Sequence, residues 1–511
     1  MEICGSKVNN GARHKPGPSG NAIKDASVTT TGATLAAGLS IVQAVIVAKI
    51  LGPTVYGKLH IYRLILAYAV FSNVGTYWAM VREISVCRGR NDQAEIDHIR
   101  DATFTFNLFV GTLVSLIVIL ALSLKPSHAS QPVEAVLVGC IIVAQQIFNF
   151  FRNYFIASKD FVTRAFLVTI FPLANIILVI VLGIPFGLKG VLLAILFANF
   201  IGVFYAVWKS RFRPKVRIKK DTLIRLIKTG APISGNGFLA LAVNSIDRLI
   251  ILYLLPITAL GYYGIAVMLK GLMDTLYRSA FMAIFPRISE SYGRTDSVLA
   301  LKDYIWKPIY VSAHLLPVLL GPMVILIDPL IRYVLPKYGQ SIVPAQLIIL
   351  ASFFGCLQIG IINFFIAINK VYRVYHLRIM AIFFGAICIF IAINRNLAIR
   401  GVALAFVLIM AFLAIALLWA FLSNYSLTLA IKFKYLTCAF YPFLYMSLCL
   451  WFSGVIKTLC WKFTSDTILS ASFHVIVYLV LIIPLITVIQ ARTRVIGQLM
   501  RSIRGLGLSR S

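Results

Sequence analysis

The sequence predicts an all-α integral membrane protein of about fourteen transmembrane helices: two six-helix bundles arranged as parallel repeats, followed by two further helices. Three observations predict it. First, 60% of the 511 residues are hydrophobic and only 13% are charged, with a mean hydropathy of +0.90; soluble domains have about 45–50% apolar and about 25% charged residues. Second, apolar stretches long enough to cross a bilayer, about 20 residues each, recur about fourteen times. Third, the first six stretches align with the second six. This composition excludes a disordered basic chain and a soluble enzyme built around one core.

In chain order, residues 1–27 form a polar tail. It contains no apolar h-region, so it is not a cleavable signal peptide, and the first span serves as an uncleaved insertion signal. The N-terminal bundle occupies 28–208, with spans near 28–50, 60–81, 103–124, 133–151, 165–184 and 188–208. A basic linker follows at 209–230. The second bundle occupies 231–422, with spans near 231–254, 260–285, 308–328, 343–368, 377–394 and 401–422. Two more spans, near 433–453 and 470–490, fill 423–490, and a basic tail runs from 491 to 511. The longest internal gap is about 22 residues, too short for a catalytic domain. The eight cysteines (4, 87, 140, 356, 388, 438, 449 and 460) show no CxxC spacing. Neither a disulfide framework nor a zinc site is expected. No phosphate-binding loop of the GxxxxGK[ST] form occurs, and no metal or cofactor is expected.

The charge is lopsided: 48 Lys and Arg against 17 Asp and Glu, a net +31. Such an excess points to nucleic acid, to an anionic membrane, or to membrane topology. Counted segment by segment, 34 of the 48 cations fall on the side of the N-terminus and 10 on the other. The remaining four, Arg63, Arg248, Lys270 and Arg278, lie more than one residue inside the ends of their spans. The positive-inside rule then places both termini in the cytoplasm and leaves no charge for nucleic acid to explain. The linker holds nine cations opposed only by Asp221. It reads as a topogenic connection that also attracts anionic lipid headgroups.

An internal repeat underlies the two bundles. Residues 29–92 overlie 233–296 without a gap at an offset of 204, with thirteen identities in 64 positions. Leu51, Thr54 and Gly57 match Leu255, Thr258 and Gly261; Ile84, Ser85, Gly89, Arg90 and Asp92 match Ile288, Ser289, Gly293, Arg294 and Asp296. Residues 153–157 then match 363–367, and 189–194 match 400–405. Six spans is an even number, so both copies share one orientation, the plan of transporters that rock two bundles about a central site.

The segments ILGPTVYGKL and VREISVCRGRND, the run Asn244–Ser–Ile–Asp247–Arg248–Leu–Ile–Ile–Leu, and the glycines of LKGVLLA and IRGVALA carry a family resemblance. In this order and spacing the chain resembles the Wzx-type polysaccharide flippases of the multidrug/oligosaccharidyl-lipid/polysaccharide (MOP) exporter superfamily, over about residues 28–422 and more loosely to about 490. The resemblance implies two bundles in an inverted V around a central cavity. It implies alternating access that carries a polyprenyl-diphosphate-linked oligosaccharide from the cytoplasmic to the outer leaflet of a bacterial inner membrane, for O-antigen or exopolysaccharide synthesis, without catalysis. Membrane lipids, other polysaccharide-assembly proteins and a coupling proton or sodium ion are the implied partners. The last two helices would hold the lipid tail or simply anchor the chain. An ion-coupled multidrug or metabolite antiporter of the same superfamily, a peptidoglycan lipid-precursor flippase and a membrane glycosyltransferase are the alternatives.

Charge inside a span costs roughly 2.5–3.5 kcal/mol per residue and points to function or pairing. Lys270, Asp274 and Arg278 recur at i, i+4 and i+8 and so share one helical face, with Tyr263 and Tyr277 nearby. Span 7 carries Asn236, Asn244, Asp247 and Arg248, and span 2 carries Arg63. Four cations less two acids leave +2, which the two phosphate charges of a diphosphate diester would balance. Arg248, Lys270, Arg278 and Arg63 are therefore expected to receive a diphosphate, guanidinium groups gripping phosphate oxygens in pairs. The competing expectation is internal pairing that locks helices together. Asp247 and Asp274 are candidates for ion coupling or for that pairing. Asn244, Asn149, Asn153 and Asn363, with Tyr154, Asn199 and Gln358, are candidates to bond sugar, or one another across helices. Gly32, Gly38, Gly230, Pro232, Gly235, Gly237, Pro317, Gly321 and Pro322 mark helices that bend or pack closely.

Overall fold

A computed structural model describes residues 19–124, 131–210, 215, 219–282, 297–460 and 467–493. The predicted N-terminal tail up to residue 18, most of the first linker residues and the C-terminal tail beyond 493 lie outside the described residues. The described residues form helices joined by short turns, with no strand among them. The N-terminal half holds α1 (Ser19–Ala69), α2 (Thr76–Gly89), α3 (Gln93–Leu124), α4 (Pro132–Ala157), α5 (Phe161–Leu178) and α6 (Ile184–Ser210). Then come α7 (Lys220–Val243), α8 (Ile246–Leu254), α9 (Ile257–Met282), α10 (Lys302–Val334), α11 (Ile342–Ala367), α12 (Tyr372–Asn394) and α13 (Ala398–Leu422). The chain ends with α14 (Leu429–Cys460) and α15 (Thr467–Thr493).

Among the described residues, ten helical stretches are long and apolar enough to cross a membrane, or eleven when α7 and α8, which meet at a 49° bend, count as one. This is fewer than the fourteen apolar stretches of the sequence because two of the ten hold two crossings each, α7 and α8 are separated by a bend, and the charged α9 is not among them. Thr34–Gly89 spans 56 residues and Phe161–Ser210 spans 50, each more than twice what one crossing needs. Each turns at a glycine with positive φ, Gly52 (φ 67°) and Gly187 (φ 57°), a conformation that only glycine adopts freely. Ser40 and Leu66 border the same cavity, although a straight helix would set them about 39 Å apart. The chain therefore reverses at Gly52–Pro53, and Gly190 likewise packs back on the Leu182 backbone across Gly187. These reversals take so few residues that no loop separates the two crossings.

Two other spans break inside the bundle. After α1 a short 3-10 turn, Val70–Asn73, leads through Val74 and Gly75, both at positive φ, into α2. The backbone groups freed there have no water to turn to and must be satisfied locally. The Gly75 N–H donates to Asn73 Oδ1 (2.6 Å), Thr76 Oγ1 donates to Asn73 O (2.9 Å), and Asn107 Nδ2 donates to Thr76 Oγ1 (2.8 Å). The second break, at Asn244–Ser245, separates α7 from α8 and lies beside the first. Tyr68 Oη and Ser245 Oγ are 2.7 Å apart.

The duplication has a physical counterpart where the halves meet. The second part of α1 packs on α9, and residues related by the 204 offset face one another along that contact. At Gly57 a Cβ would collide with the backbone of Ile257 and Gly261, and at Gly261 with that of Pro53 and Gly57. One turn on, the His60 ring lies against Gly264, where a Cβ would overlap it. One further turn on, Arg63 and Val267 border a common cavity. The repeat axis thus runs between these two helices, and the glycines shared by the two loop signatures sit where the backbones cross. At the far end of the bundle, called the linker end below, Gly75 and Gly230 meet backbone to backbone. There Arg225 pairs with Glu95 and lies 3.7 Å from Glu83.

Helices α14 and α15 dock on α10. Tyr478 Oη donates to Pro317 O (2.7 Å), and its ring fills the space that Gly321 leaves open. Tyr441 Oη lies 2.7 Å from His314 Nε2. The helix α10 runs continuously through Pro317, Gly321 and Pro322, so in this structure these residues serve close packing.

Candidate functional site

A cavity of about 560 Å³ opens between α1, α4, α5 and α6 on one side and α8 and α9 on the other. Its polar wall consists of Ser40, Gln43, His60, Arg63, Gln145, Asn175, Arg248 and Thr275. A second space of about 370 Å³ shares Ser40, Leu66, Gln145 and Ile195 with the first and extends into the N-terminal half, where Asn149, Arg152 and Asn199 border it. Arginines thus come from α1, α4 and α8. Among the described residues no carboxylate borders either space.

Arg63 projects from the second part of α1 with its guanidinium 5.8 Å from the Tyr56 ring centre. Arg248 sits in the first turn of α8 and is held by the break before it. One guanidinium nitrogen donates to Asn244 O (2.6 Å), the carbonyl that the break leaves open, while its Nε is buried without a hydrogen-bond partner. Asp247 is 1% exposed and lies behind Arg248, 3.7 Å from that Nε. It accepts from the Arg248 N–H (2.8 Å) and from Tyr263 Oη (2.6 Å). An acid in the first turn of a helix is favoured by the exposed N–H groups there, so Asp247 organises the start of α8 and does not itself border the cavity.

Lys270 points elsewhere. The α9 residues that border the cavity are Val267, Met268, Gly271, Leu272 and Thr275. Lys270 Nζ instead donates to Asp274 Oδ2 (2.7 Å) and Asn244 Oδ1 (3.1 Å), and lies 5.8 Å from the Phe406 ring of α13. Asp274 also accepts from Tyr277 Oη. The structure therefore brings Arg63 and Arg248 to one cavity and ties Lys270 to Asp274 on another face of the same helix. The Arg278 side chain lies outside the described residues.

The amides divide in the same way. Asn149 and Asn199 border the second space. Asn153 is buried and donates to Asn149 O (2.8 Å) along its own helix. Asn363, on α11, borders neither space, and Gln358 Nε2 crosses to Met410 O (3.1 Å). Tyr154 stacks on Phe150. The sequence reading missed His60, Gln43, Asn175 and Arg152. The Asn175 Oδ1 is buried with no hydrogen-bond partner among the described residues. Gln145, Asn149 and Arg152 recur at i, i+4 and i+7, a polar stripe on one face of α4 that was available as a signal. The segment count places Arg378 among the cytoplasmic-side cations. It is buried instead, and its Nη1 donates to Asn236 O (2.6 Å) and to Asn236 Oδ1, tying α12 to α7.

Solved structures share this architecture. A lipid II flippase, MurJ, in an inward closed conformation superposes with a TM-score of 0.66 at 16% identity, covering 90% of this chain and 98% of that one. An inward-facing multidrug resistance MATE family transporter of the MOP superfamily gives 0.59 at 17% identity, covering 80% and 100%. An outward-facing one gives 0.56 at 16% identity, covering 79% and 97%. No curated protein sequence matches significantly. Over residues 22–292, more than half of its length, the sequence matches the polysaccharide biosynthesis protein family, and the chain belongs to that family.

Proposed function

We propose that this protein is a flippase that carries a polyprenyl-diphosphate-linked oligosaccharide from the cytoplasmic to the outer leaflet of a bacterial inner membrane, by alternating access of its two halves. The observation that carries the reading is the cavity at their junction, which Arg63 and Arg248 enter and no described carboxylate borders. Cations held within membrane spans are costly without an anion, and a diphosphate offers oxygens that guanidinium groups grip in pairs. The Arg248 side chain borders that cavity and keeps 15% of its surface exposed.

Lys270, Asp274 and Asp247 take supporting parts in this reading. Asp247 orients Arg248. The Lys270–Asp274 pair is the charged pair through which a proton or sodium ion would act, because the Asp274 side chain keeps 23% of its surface exposed. The linker cations and both termini face the cytoplasm in accordance with the positive-inside rule. Membrane lipid surrounds the protein, and enzymes of polysaccharide assembly supply and consume its cargo. Export of organic cations is the second reading, and the arginines of the cavity wall oppose it.

Mass spectrometry of lipid that copurifies with the protein tests the proposal. A polyprenyl-diphosphate saccharide is expected on the wild type and is expected to be lost from the Arg63→Ala, Arg248→Ala double variant. A bound organic cation in its place would overturn the reading.

A further inference from the structure

The two halves meet at both ends of the cavity, and the two contacts are built differently. At the α1–α9 crossing backbone lies on backbone, and Tyr338 Oη reaches across to donate to Ala48 O (2.8 Å). No ion pair joins the halves there among the described residues. At the linker end α7 carries the contact, and it is gripped by both halves. From Pro232 onward the second half holds it: Tyr375 Oη donates to Pro232 O, and Arg378 Nη1 donates to Asn236 O (2.6 Å). Before Gly230 it lies on the first half. Leu226 is fully buried in an apolar cluster with Met80, Ile84 and Cys87 of α2, and Arg225 beside it reaches Glu95 of α3 and Glu83 of α2. Arg225 is the one cation among the described residues that pairs with carboxylates of the other half.

From the cavity to this point both halves present their contacts in the same order. Arg63 and Arg248 come first, then the two breaks joined at Tyr68 and Ser245, then Gly75 against Gly230, then Glu83 and Arg225. The first turns of α7 thus close the cavity toward the linker, and Arg225 is the outermost fastening. Its side chain is 45% exposed, against 17% and 20% for Glu83 and Glu95. Salt therefore screens this contact and does not reach the buried glycine crossing.

We infer that the first two turns of α7 are a strap across the linker end, latched by Arg225 on Glu83 and Glu95, and that this end opens while the α1–α9 crossing stays shut. The inference rests on the flippase reading for its purpose: release of the strap admits the lipid-linked cargo to Arg63 and Arg248.

Hydrogen exchange read by mass spectrometry, on the full-length protein in nanodiscs, tests it. In the wild type, raising NaCl from about 0.1 M to about 1 M is expected to speed amide exchange in residues 76–89 and 220–230 about two- to fivefold, the worth of a partly exposed ion pair. The segments around Gly57 and Gly261 are expected to stay unchanged. Arg225→Gln is expected to show the fast exchange already at low salt, with no further response. Arg225→Glu combined with Glu95→Arg is expected to recover most of the protection and the salt response. A polyprenyl diphosphate probe is expected to bind Arg225→Gln about two- to fivefold more tightly, because a larger fraction of molecules is open to it. Linker-end exchange that ignores Arg225→Gln, or that rises equally at both ends, overturns the inference, as does a probe affinity that Arg225→Gln leaves unchanged or weakens. A wild type that shows the salt response but binds no probe keeps the strap and overturns the flippase reading.

Discussion

Arg63 and Arg248 border one cavity but are held differently, and that difference makes a sharp prediction. Replacing either by Gln removes one guanidinium from the diphosphate. A charge-assisted hydrogen bond is worth about 1.5–3 kcal/mol, so each variant is expected to bind a polyprenyl diphosphate probe about 10–150-fold more weakly. Stability separates the two. Arg63 rests over the Tyr56 ring, and its loss leaves no backbone group exposed. Arg248 closes the Asn244 carbonyl at the break between α7 and α8 with a 2.6 Å bond and stands beside buried Asp247. Its loss opens that carbonyl and leaves buried Asp247 without its neighbouring cation, a cost of about 1–3 kcal/mol. Arg248→Gln should therefore melt at a clearly lower temperature in detergent, and Arg63→Gln should melt like the wild type. Because both groups grip one ligand, the double variant should lose less affinity than the two single losses combined. The assay is equilibrium binding followed by thermal unfolding on the same preparations. A well-folded Arg63→Gln variant with wild-type affinity would refute the assignment of the cavity.

Other substitutions follow from the packing. Gly57→Leu and Gly261→Leu each push a side chain into the opposing backbone at the crossing of α1 and α9. Each should abolish transport in a proteoliposome flipping assay even where the protein still inserts, whereas Gly38→Ala, which meets nothing within 4 Å, should not. Lys270→Met strips Asp274 of its cation and should lower the melting temperature. Removing one partner of a buried pair costs about 3–5 kcal/mol, and partial exposure of Asp274 reduces this. Diphosphate affinity should move far less than in Arg63→Gln, and an equal loss would place Lys270 in the cavity. Gly321→Ala displaces the Tyr478 ring and should loosen α14 and α15 from α10, read as faster proteolytic cleavage between α13 and α14.

The membrane class, the helical architecture and the repeat were legible in the sequence because each is a property of many residues at once. Gly57 and Gly261 were legible as repeat identities, and the structure supplies the reason, a backbone crossing that tolerates no Cβ. Arg63 and Arg248 stood out because a charge in an apolar stretch is costly wherever it faces. Lys270 has that same signature. Sequence spacing groups it with Asp274 on one face of α9 but does not say that this face turns toward α13 and not toward the cavity. Arg152 and Arg378 stayed hidden for the opposite reason. Near the ends of spans an arginine costs little, so one that borders a cavity, or one that is buried, resembles one that merely sets topology. The reversal at Gly52 was also hidden as a helix boundary, because a turn of one or two residues interrupts the apolar pattern hardly at all.

The crossing of α1 and α9 also bears on ancestry. A half-length precursor would meet itself there as a symmetric dimer, its one glycine opposed by its own copy, and every residue of the central chamber would occur twice. Joining two copies in one chain lifts that constraint. Position 63 can become arginine while its counterpart, position 267, stays valine, and position 60 can become a histidine whose ring occupies the space left by a glycine at 264. The fused chain can thus place most of the polar wall on one half, with Arg248 the charged residue from the other, an arrangement closed to any dimer of identical halves. An amphiphile with a charged head and an oily tail is lopsided in the same sense.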